Sequence, residues 1–484
     1  MVKQHTKSNI IASIFWKLME RGGTQGIQFI VQIVLARLLL PEDYGIIAIV
    51  MVFVLLANVF IHNGFNAALI QKKEADDIDF SSILYLSISI ALILYIVIFF
   101  ASPLIARFYN MSELVPLFRV LSFTLFFGAF NSVQVAYVTR HLLFKRLFFS
   151  SLGSVIISGT IGIVMAYQGY GVWALVAQQL TNVIVISIIL WFTVKWRPHL
   201  VFSITRVKVL FRYGWKLLAS GLLNTLYMDL RTLIIGRIYS PSMLGYYNRG
   251  RQFPNLLISN INGSIQAVML PTLAKEQDNR LRVKQMVRRS IVTSSFLIFP
   301  MMVGLAVVAE SLVLIVLTDK WLMAVPFLQI FAISYALMPI HTANLQAINA
   351  VGRSDIFLKL EIVKKVIGLL IIAVSIPFGI YVLAWGAVLS GIISSFINAY
   401  PNKKLLNYSY LEQIKDVLPM LLLSLVMGVF VYLIIFLNFN MYIEIILQVG
   451  LGVIVYLLLA LLFKLESLKY LVDTVKALFL AKRE

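Results

Sequence analysis

Residues 35–41 read Leu-Ala-Arg-Leu-Leu-Leu-Pro and are followed by Gly45. Two hundred residues later, residues 235–241 read Ile-Gly-Arg-Ile-Tyr-Ser-Pro and are followed by Gly245. The arginine, the proline and the glycine all recur in register, which a chance similarity between two apolar segments would not produce. The sequence therefore predicts that one structural unit occurs twice in the chain.

Further matches extend this repeat in both directions. Upstream, Trp16-Lys17 recurs as Trp215-Lys216, and downstream a displacement of 210 residues pairs Pro116 with Pro326 and Gly169 with Gly379. In a membrane protein, two such copies form two lobes, and a substrate site is expected at the interface between repeats that rock against each other.

The composition indicates an integral membrane protein. Of its 484 residues, 60% are hydrophobic and 13% are charged, and the mean hydropathy is +0.91. These values are far outside the range of soluble globular proteins. About 14 apolar segments have the roughly 20 residues that a helix needs to cross a hydrocarbon core. We expect an all-α polytopic membrane protein.

The net charge of +20 is a topological signal and does not indicate nucleic-acid binding. Most lysines and arginines fall in alternate loops, such as 195–212 and 275–289, whereas the opposite loops contain only Arg107 and Lys320. Basic loops face the cytoplasm, so both termini are predicted to be cytoplasmic.

The repeat and the spans together predict the domain organisation. We expect two repeated six-helix lobes at residues 1–206 and 207–403, an additional transmembrane helix pair at 404–466, and an amphipathic cytoplasmic tail at 467–484. The tail is expected to carry apolar side chains on one helical face and basic side chains beside it for lipid head groups, as membrane-surface helices do. The apolar residues are Leu468, Leu471, Val472, Val475, Leu478 and Phe479, and the basic ones are Lys469, Lys476, Lys482 and Arg483.

Several function classes are disfavoured by what the sequence lacks. It has no cysteine, no clustered histidines and no Walker-type loop, so we expect no metal site, no cofactor and no direct use of ATP. The outer loops are too short for a catalytic domain, and we expect no catalytic residues and no enzymatic activity.

Polar residues are aligned on the predicted spans 10–40, 208–239 and 243–272. Their spacings of three and four confine each set to one helix face. Lipid is an unfavourable environment for such faces, so they are expected to line a hydrated cavity, although single amides also join helices by hydrogen bonds. The predicted cavity residues are Lys17, Arg21, Gln25, Gln28, Lys216, Asn224, Tyr227, Arg231, Arg249, Arg251, Gln252 and Asn255.

Embedded cations outnumber embedded acids, and this surplus favours an anionic, phosphate-bearing ligand. The clear embedded acids are Glu20 and Asp229. Glu20 lies within one turn of Lys17 and Arg21, so it can pair with either. Both acids therefore have two interpretations, which are structural charge pairing and coupling of transport to an ion such as H⁺ or Na⁺.

The segment from Leu35 to Gly45, after a long polar-striped first helix, resembles the start of polysaccharide transport proteins of the Wzx flippase type. The layout resembles the wider multidrug, oligosaccharidyl-lipid and polysaccharide exporter superfamily. The resemblance implies a bacterial cytoplasmic (inner) membrane protein that moves undecaprenyl-pyrophosphate-linked oligosaccharide to the outer leaflet by alternating access. The product would be capsule, exopolysaccharide or O-antigen, and membrane lipids and polymerase machinery would be partners.

Two rival functions remain at this stage. A multidrug exporter of the same superfamily would favour cationic substrates and an acidic cavity, which the surplus of cations here disfavours. A passive scramblase would use the same groups without energetic coupling, and the sequence does not separate it from a driven transporter.

Overall fold

The computed structural model describes residues 7–62, 65–72 and 75–480, and all regular secondary structure in these ranges is helical. Packing divides the chain into two compact units, and the division along the chain falls between Gly245 and Tyr246. The first unit contains α1 (Lys7–Leu38), α2 (Pro41–His62), α3 (Phe65–Gln71), α4 (Asp77–Tyr109), α5 (Leu114–Leu121), α6 (Thr124–Arg140), α7 (Phe144–Tyr167), α8 (Val172–Thr193) and α9 (Ile204–Ile238).

The next helix, α10 (Pro241–Lys275), begins in the first unit and continues into the second. The second unit then contains α11 (Arg280–Val307), α12 (Ala309–Val316), α13 (Val325–Ala336), α14 (Met338–Ala350), α15 (Ser354–Ser375), α16 (Ile380–Leu405), α17 (Tyr410–Leu433), α18 (Met441–Leu462) and α19 (Glu466–Leu480).

Eleven helical segments in the described residues are long and apolar enough to cross a membrane. The all-helical polytopic fold is thus confirmed. Three more helices, α1, α9 and α15, have 32, 35 and 22 residues and coincide with predicted spans, but they are not among the eleven. Their polar and charged residues lower their hydropathy, and the number of 14 spans stays a prediction.

Some predicted spans consist of two helices. One of the apolar segments predicted to cross the membrane, residues 324–350, is divided at Leu337 into α13 and α14, two residues before Pro339. Proline has no backbone N–H to donate and restricts the residue before it, so a helix boundary there is expected from its chemistry.

The two units that helix packing defines have other boundaries than the two lobes that the sequence repeat predicts. The helix α9, which the repeat assigns to the second copy, packs against α2, α3 and α4 of the first unit. The C-terminal helices α17 and α18 pack against α11 in the second unit. The repeat-based boundaries at 206, 403 and 466 stay a prediction.

The repeated proline and glycine meet within the first unit. A Cβ atom on Gly45 would overlap the carbonyl oxygen of Pro241, and a Cβ atom on Gly245 would overlap that of Pro41. Each copy of the motif therefore supplies a backbone carbonyl that lies against the glycine of the other copy. This close backbone approach explains why both positions are glycine.

A charged cluster joins α4 of the first unit to the start of α9. The buried carboxylate of Asp79 lies 2.6 Å from the Lys72 ammonium, and Arg206 lies 2.5 Å from Asp76. Burial opposes ionisation of Asp76, but the Asp79 backbone N–H and the Arg206 guanidinium outweigh it and lower the pKa of Asp76. The cluster thus fixes where α9 begins.

A buried amide network joins α14, α16 and α17 of the second unit. The Asn344 amide nitrogen donates to Gln413 over 2.7 Å, and the Asn344 side-chain oxygen accepts from Gln413 at 3.0 Å and from Asn402 at 2.7 Å. All three residues are fully buried. Because no water reaches them, each amide depends on the others for its hydrogen bonds.

We expect Asn344→Ala to destabilise the second unit by about 3 kcal/mol, because Gln413 loses both of its side-chain hydrogen bonds to Asn344 and an unpaired buried polar group costs about 1–3 kcal/mol. Thermal unfolding of the purified protein in detergent measures the change. The matched control is Asn260→Ala, which removes an exposed amide that bonds only to the Leu256 carbonyl of its own helix. Equal unfolding midpoints for the two variants would contradict the role of the network.

Candidate functional site

The polar face of α1 remains uncovered by the first unit. The helix packs against α7, where Val31 lies against Gly159, and a Cβ atom there would approach Val31 to 2.6 Å. Gln25 and Gln28 are exposed. Their amides therefore offer both donors and acceptors to a polar ligand.

The charged end of the same face is partly neutralised. Lys17 is exposed, and its ammonium lies 2.8 Å from the carboxylate of Glu20, which is 19% exposed. The lysine also lies 5.5 Å from the ring centre of Phe144 in α7. Glu20 therefore has the structural partner that its i,i+3 spacing suggested, and an ion-coupling role stays a prediction. The Arg21 side chain lies outside the described side chains.

The helix α9 carries the second polar face of the first unit. Lys216 and Asn224 are exposed, whereas Tyr227 and Asp229 are half-buried and each has at least one interaction partner. The helix is held by a hydrogen bond from the Tyr109 hydroxyl to the Leu233 carbonyl over 3.3 Å.

Arg231 is the most informative residue of this face. It is half-buried, and its Nε and Nη2 atoms are inaccessible to solvent and have no hydrogen-bond partner among the described residues. The next residue, Thr232, is buried, so the backbone at this point of α9 is fixed by packing. Unsatisfied N–H groups of a guanidinium cost free energy, and a carboxylate or phosphate oxygen would satisfy them in a conformation that opens this part of α9 to a ligand.

In the second unit, α10 brings together two of the predicted residues. Arg249 is 5% exposed, its Nη1 donates to the Gln252 side-chain oxygen over 2.6 Å, and its guanidinium lies 5.2 Å from the ring centre of Trp321. These contacts fix the direction of the guanidinium. Arg251 is half-buried, and Asn255 is exposed.

Sequence reasoning missed an amide pair on α6 of the first unit. Gln134 is fully buried and neither of its amide atoms has a partner among the described residues, and the same holds for the side-chain oxygen of Asn131 one turn earlier. The i,i+3 spacing of two amides in the predicted span 113–139 was a signal that could have identified them.

Comparison with known proteins shows the family to which the chain belongs. The profile of a family described as "Polysaccharide biosynthesis protein" matches residues 34–326, which is more than half of the chain. The chain belongs to this family. The matched region includes Arg231 and Arg249 and begins after the polar face of α1.

Curated relatives carry related names. The protein is 24% identical to the succinoglycan biosynthesis transport protein ExoT of Rhizobium meliloti, over 74% of this chain and 72% of ExoT. It is 29% identical to the teichuronic acid biosynthesis protein TuaB of Bacillus subtilis, over 62% of each chain. The lipopolysaccharide biosynthesis protein WzxC of Escherichia coli is 25% identical over 74% of this chain and 73% of WzxC. The predicted resemblance to polysaccharide transport proteins of the Wzx type is therefore confirmed.

Solved structures show the same fold. The lipid II flippase MurJ in an inward closed conformation aligns with a TM-score of 0.76 over 93% of this chain and 98% of MurJ, at 16% identity. An inward-facing transporter of the multidrug resistance MATE family aligns with a TM-score of 0.59 over 78% of this chain and 94% of that one, at 15% identity. The chain is thus a multi-pass membrane protein with the fold of these transporters.

Proposed function

We propose that this protein is a flippase that moves undecaprenyl-pyrophosphate-linked oligosaccharide from the inner to the outer leaflet of a bacterial cytoplasmic membrane. The observation that carries the proposal is Arg231 of α9, a half-buried cation whose Nε and Nη2 groups have no hydrogen-bond partner among the described residues. The same helix carries the exposed polar side chains of Lys216 and Asn224. The name of ExoT as a succinoglycan biosynthesis transport protein, and that of WzxC as a lipopolysaccharide biosynthesis protein, support a transport role in polysaccharide assembly.

The chemistry of the polar faces suits such a head group. A pyrophosphate is an anion whose oxygens accept charge-assisted hydrogen bonds from a guanidinium. Sugar hydroxyls both donate and accept, as do the exposed amides of Gln25, Gln28 and Asn224. The ring of Tyr227 offers an apolar surface to a sugar. The polyprenyl tail needs no polar partner and stays in the lipid.

Alternating access is the proposed mechanism. The protein exposes the polar faces to the cytoplasmic side, binds the head group, and then exposes them to the outer side, so that no covalent bond changes. Both termini are proposed to be cytoplasmic. Glu20, which lies 2.8 Å from the Lys17 ammonium, and Asp229 are both candidates for coupling to H⁺ or Na⁺.

Reconstitution into liposomes tests the substrate class. We expect the purified protein to translocate a tagged undecaprenyl-pyrophosphate oligosaccharide faster than protein-free liposomes do, and to leave a cationic drug untransported. Imposed proton and sodium gradients separate coupled transport from passive scrambling. Drug efflux without glycolipid translocation, across several glycans, would replace the proposal with a multidrug exporter.

A further inference from the structure

Two adjoining cavities lie in the second unit, near the connection between α10 and α11. The larger has a volume of about 590 Å³ and is mainly apolar, with Ile265, Val268 and Leu297 among its lining residues. The smaller has a volume of about 320 Å³ and is lined by polar and charged residues of α11 and α19. Arg289, Thr293 and Tyr470 line both. A continuous site therefore changes from apolar to charged along its length, which is the polarity profile of an amphiphile.

Arg289 is the charge available in this site. Its guanidinium lies 4.7 Å from the ring centre of Tyr470, and within the described part of the chain no carboxylate lies within 4.0 Å of it. Stacking on a ring occupies the face of a guanidinium and leaves the N–H groups at its edge free for oxygen acceptors. Its neighbour Arg288 is different, because it is paired with Asp416 at 3.0 Å and with Glu466 at 3.3 Å.

Ser467 gives an independent indication of a ligand. It is 2% exposed, it lines the smaller cavity, and its hydroxyl has no hydrogen-bond partner in the described residues. A buried unpaired hydroxyl is unfavourable, and an acceptor oxygen in the cavity would relieve it. The acid in the same cavity, Glu466, already bonds to Arg288.

We propose that the two cavities bind one anionic glycerophospholipid, with its phosphate at Arg289 and Ser467 and one acyl chain between α10 and α11. The volumes suit a phosphate and a single chain, whereas an undecaprenyl chain with an oligosaccharide head exceeds them. The site lies at the end of the unit that carries the basic residues between Lys275 and Arg289, which are predicted to face the anionic cytoplasmic leaflet. The lipid would tie α19 to α11, and this binding is independent of the transported substrate.

Photolabelling of the full-length protein tests the site. The probe is phosphatidylglycerol with a diazirine in one acyl chain, and mass spectrometry locates the label. We expect labelling of α10 and α11 around Val268 and Leu297, and displacement by unlabelled phosphatidylglycerol at about one tenth of the concentration that phosphatidylcholine requires. Equal displacement by the two lipids, or labelling elsewhere, would overturn the proposal.

Two variants with matched controls test the two ends of the site. Arg289→Gln should weaken phosphatidylglycerol binding about ten-fold, whereas Arg280→Gln, the same change at an exposed position of α11 outside both cavities, should leave it unchanged. Leu297→Trp should reduce labelling by narrowing the apolar cavity, and Leu281→Trp, on the same helix but outside both cavities, should not. Wild-type affinity in both Arg289→Gln and Leu297→Trp would contradict the site.

Two competitors separate the sources of the phosphate. Undecaprenyl phosphate that displaces the probe at a lower concentration than unlabelled phosphatidylglycerol would assign the site to the transported lipid, and inorganic phosphate that displaces the probe at the same concentration as phosphatidylglycerol would assign it to a simple anion. Either result overturns the proposal. The competition experiment on the wild-type protein requires neither transport activity nor a variant that folds. Its result therefore tests the lipid site separately from the proposed flippase function.

Discussion

Replacing Gly45 or Gly245 by alanine is expected to cost at least about 3 kcal/mol of folding stability and to remove most of the correctly folded protein from the membrane. The added Cβ atom would overlap a backbone carbonyl oxygen of the opposite motif, at Pro241 or Pro41. A side chain can escape an overlap by changing rotamer, but a carbonyl at the first turn of a helix moves only with its helix.

Fluorescence-detected size-exclusion chromatography after heating measures this loss. The matched control is Gly26→Ala on α1, where a Cβ atom would have no heavy atom within 4 Å. Alanine is favoured over glycine in a helix by about 1 kcal/mol, so the control should be neutral or slightly more stable. A Gly45→Ala or Gly245→Ala variant with the unfolding midpoint of the control would show that the reciprocal contact does not exist.

The two glycines show how far sequence reasoning extends. Their recurrence at a displacement of 200 residues predicted the duplication, whereas the composition and the apolar segments predicted the all-helical membrane fold. It did not predict that each glycine lies on the carbonyl of the other motif, because that contact depends on how helices distant in sequence pack. For the same reason the sequence did not predict that α9 packs with the first unit.

At the candidate site, the sequence could predict contacts between residues that are close in the chain. It could not predict contacts between residues that are far apart in the chain. The Lys17 and Glu20 pair follows from i,i+3 spacing, and Arg249 bonds to Gln252 at the same spacing. The approach of Arg249 to Trp321 joins residues more than 70 positions apart and has no sequence signal. The unsatisfied N–H groups of Arg231 likewise became visible only once its neighbours were placed.

Arg231→Gln should reduce translocation of the pyrophosphate-linked oligosaccharide by about 30-fold or more in the liposome assay, at equal amounts of folded protein. A hydrogen bond to a charged group contributes about 1.5–3 kcal/mol, and the substitution removes the charge and at least one of the two unsatisfied donors, Nε and Nη2. Arg231→Lys should fall between the variant and the wild type, because lysine keeps the charge but loses the planar fork that matches phosphate oxygens.

The matched control for this prediction is Arg212→Gln, which removes the same charge at an exposed position of the same helix. It should translocate at nearly the wild-type rate. If Arg231→Gln and Arg212→Gln behave alike, the unsatisfied guanidinium does not contact the substrate, and the anion-binding role would have to move to Arg249 or Arg251. A reduction that disappears when a neutral glycolipid replaces the pyrophosphate would instead identify Arg231 as the group that selects the charge of the head group, since only the anionic substrate gains from its N–H groups.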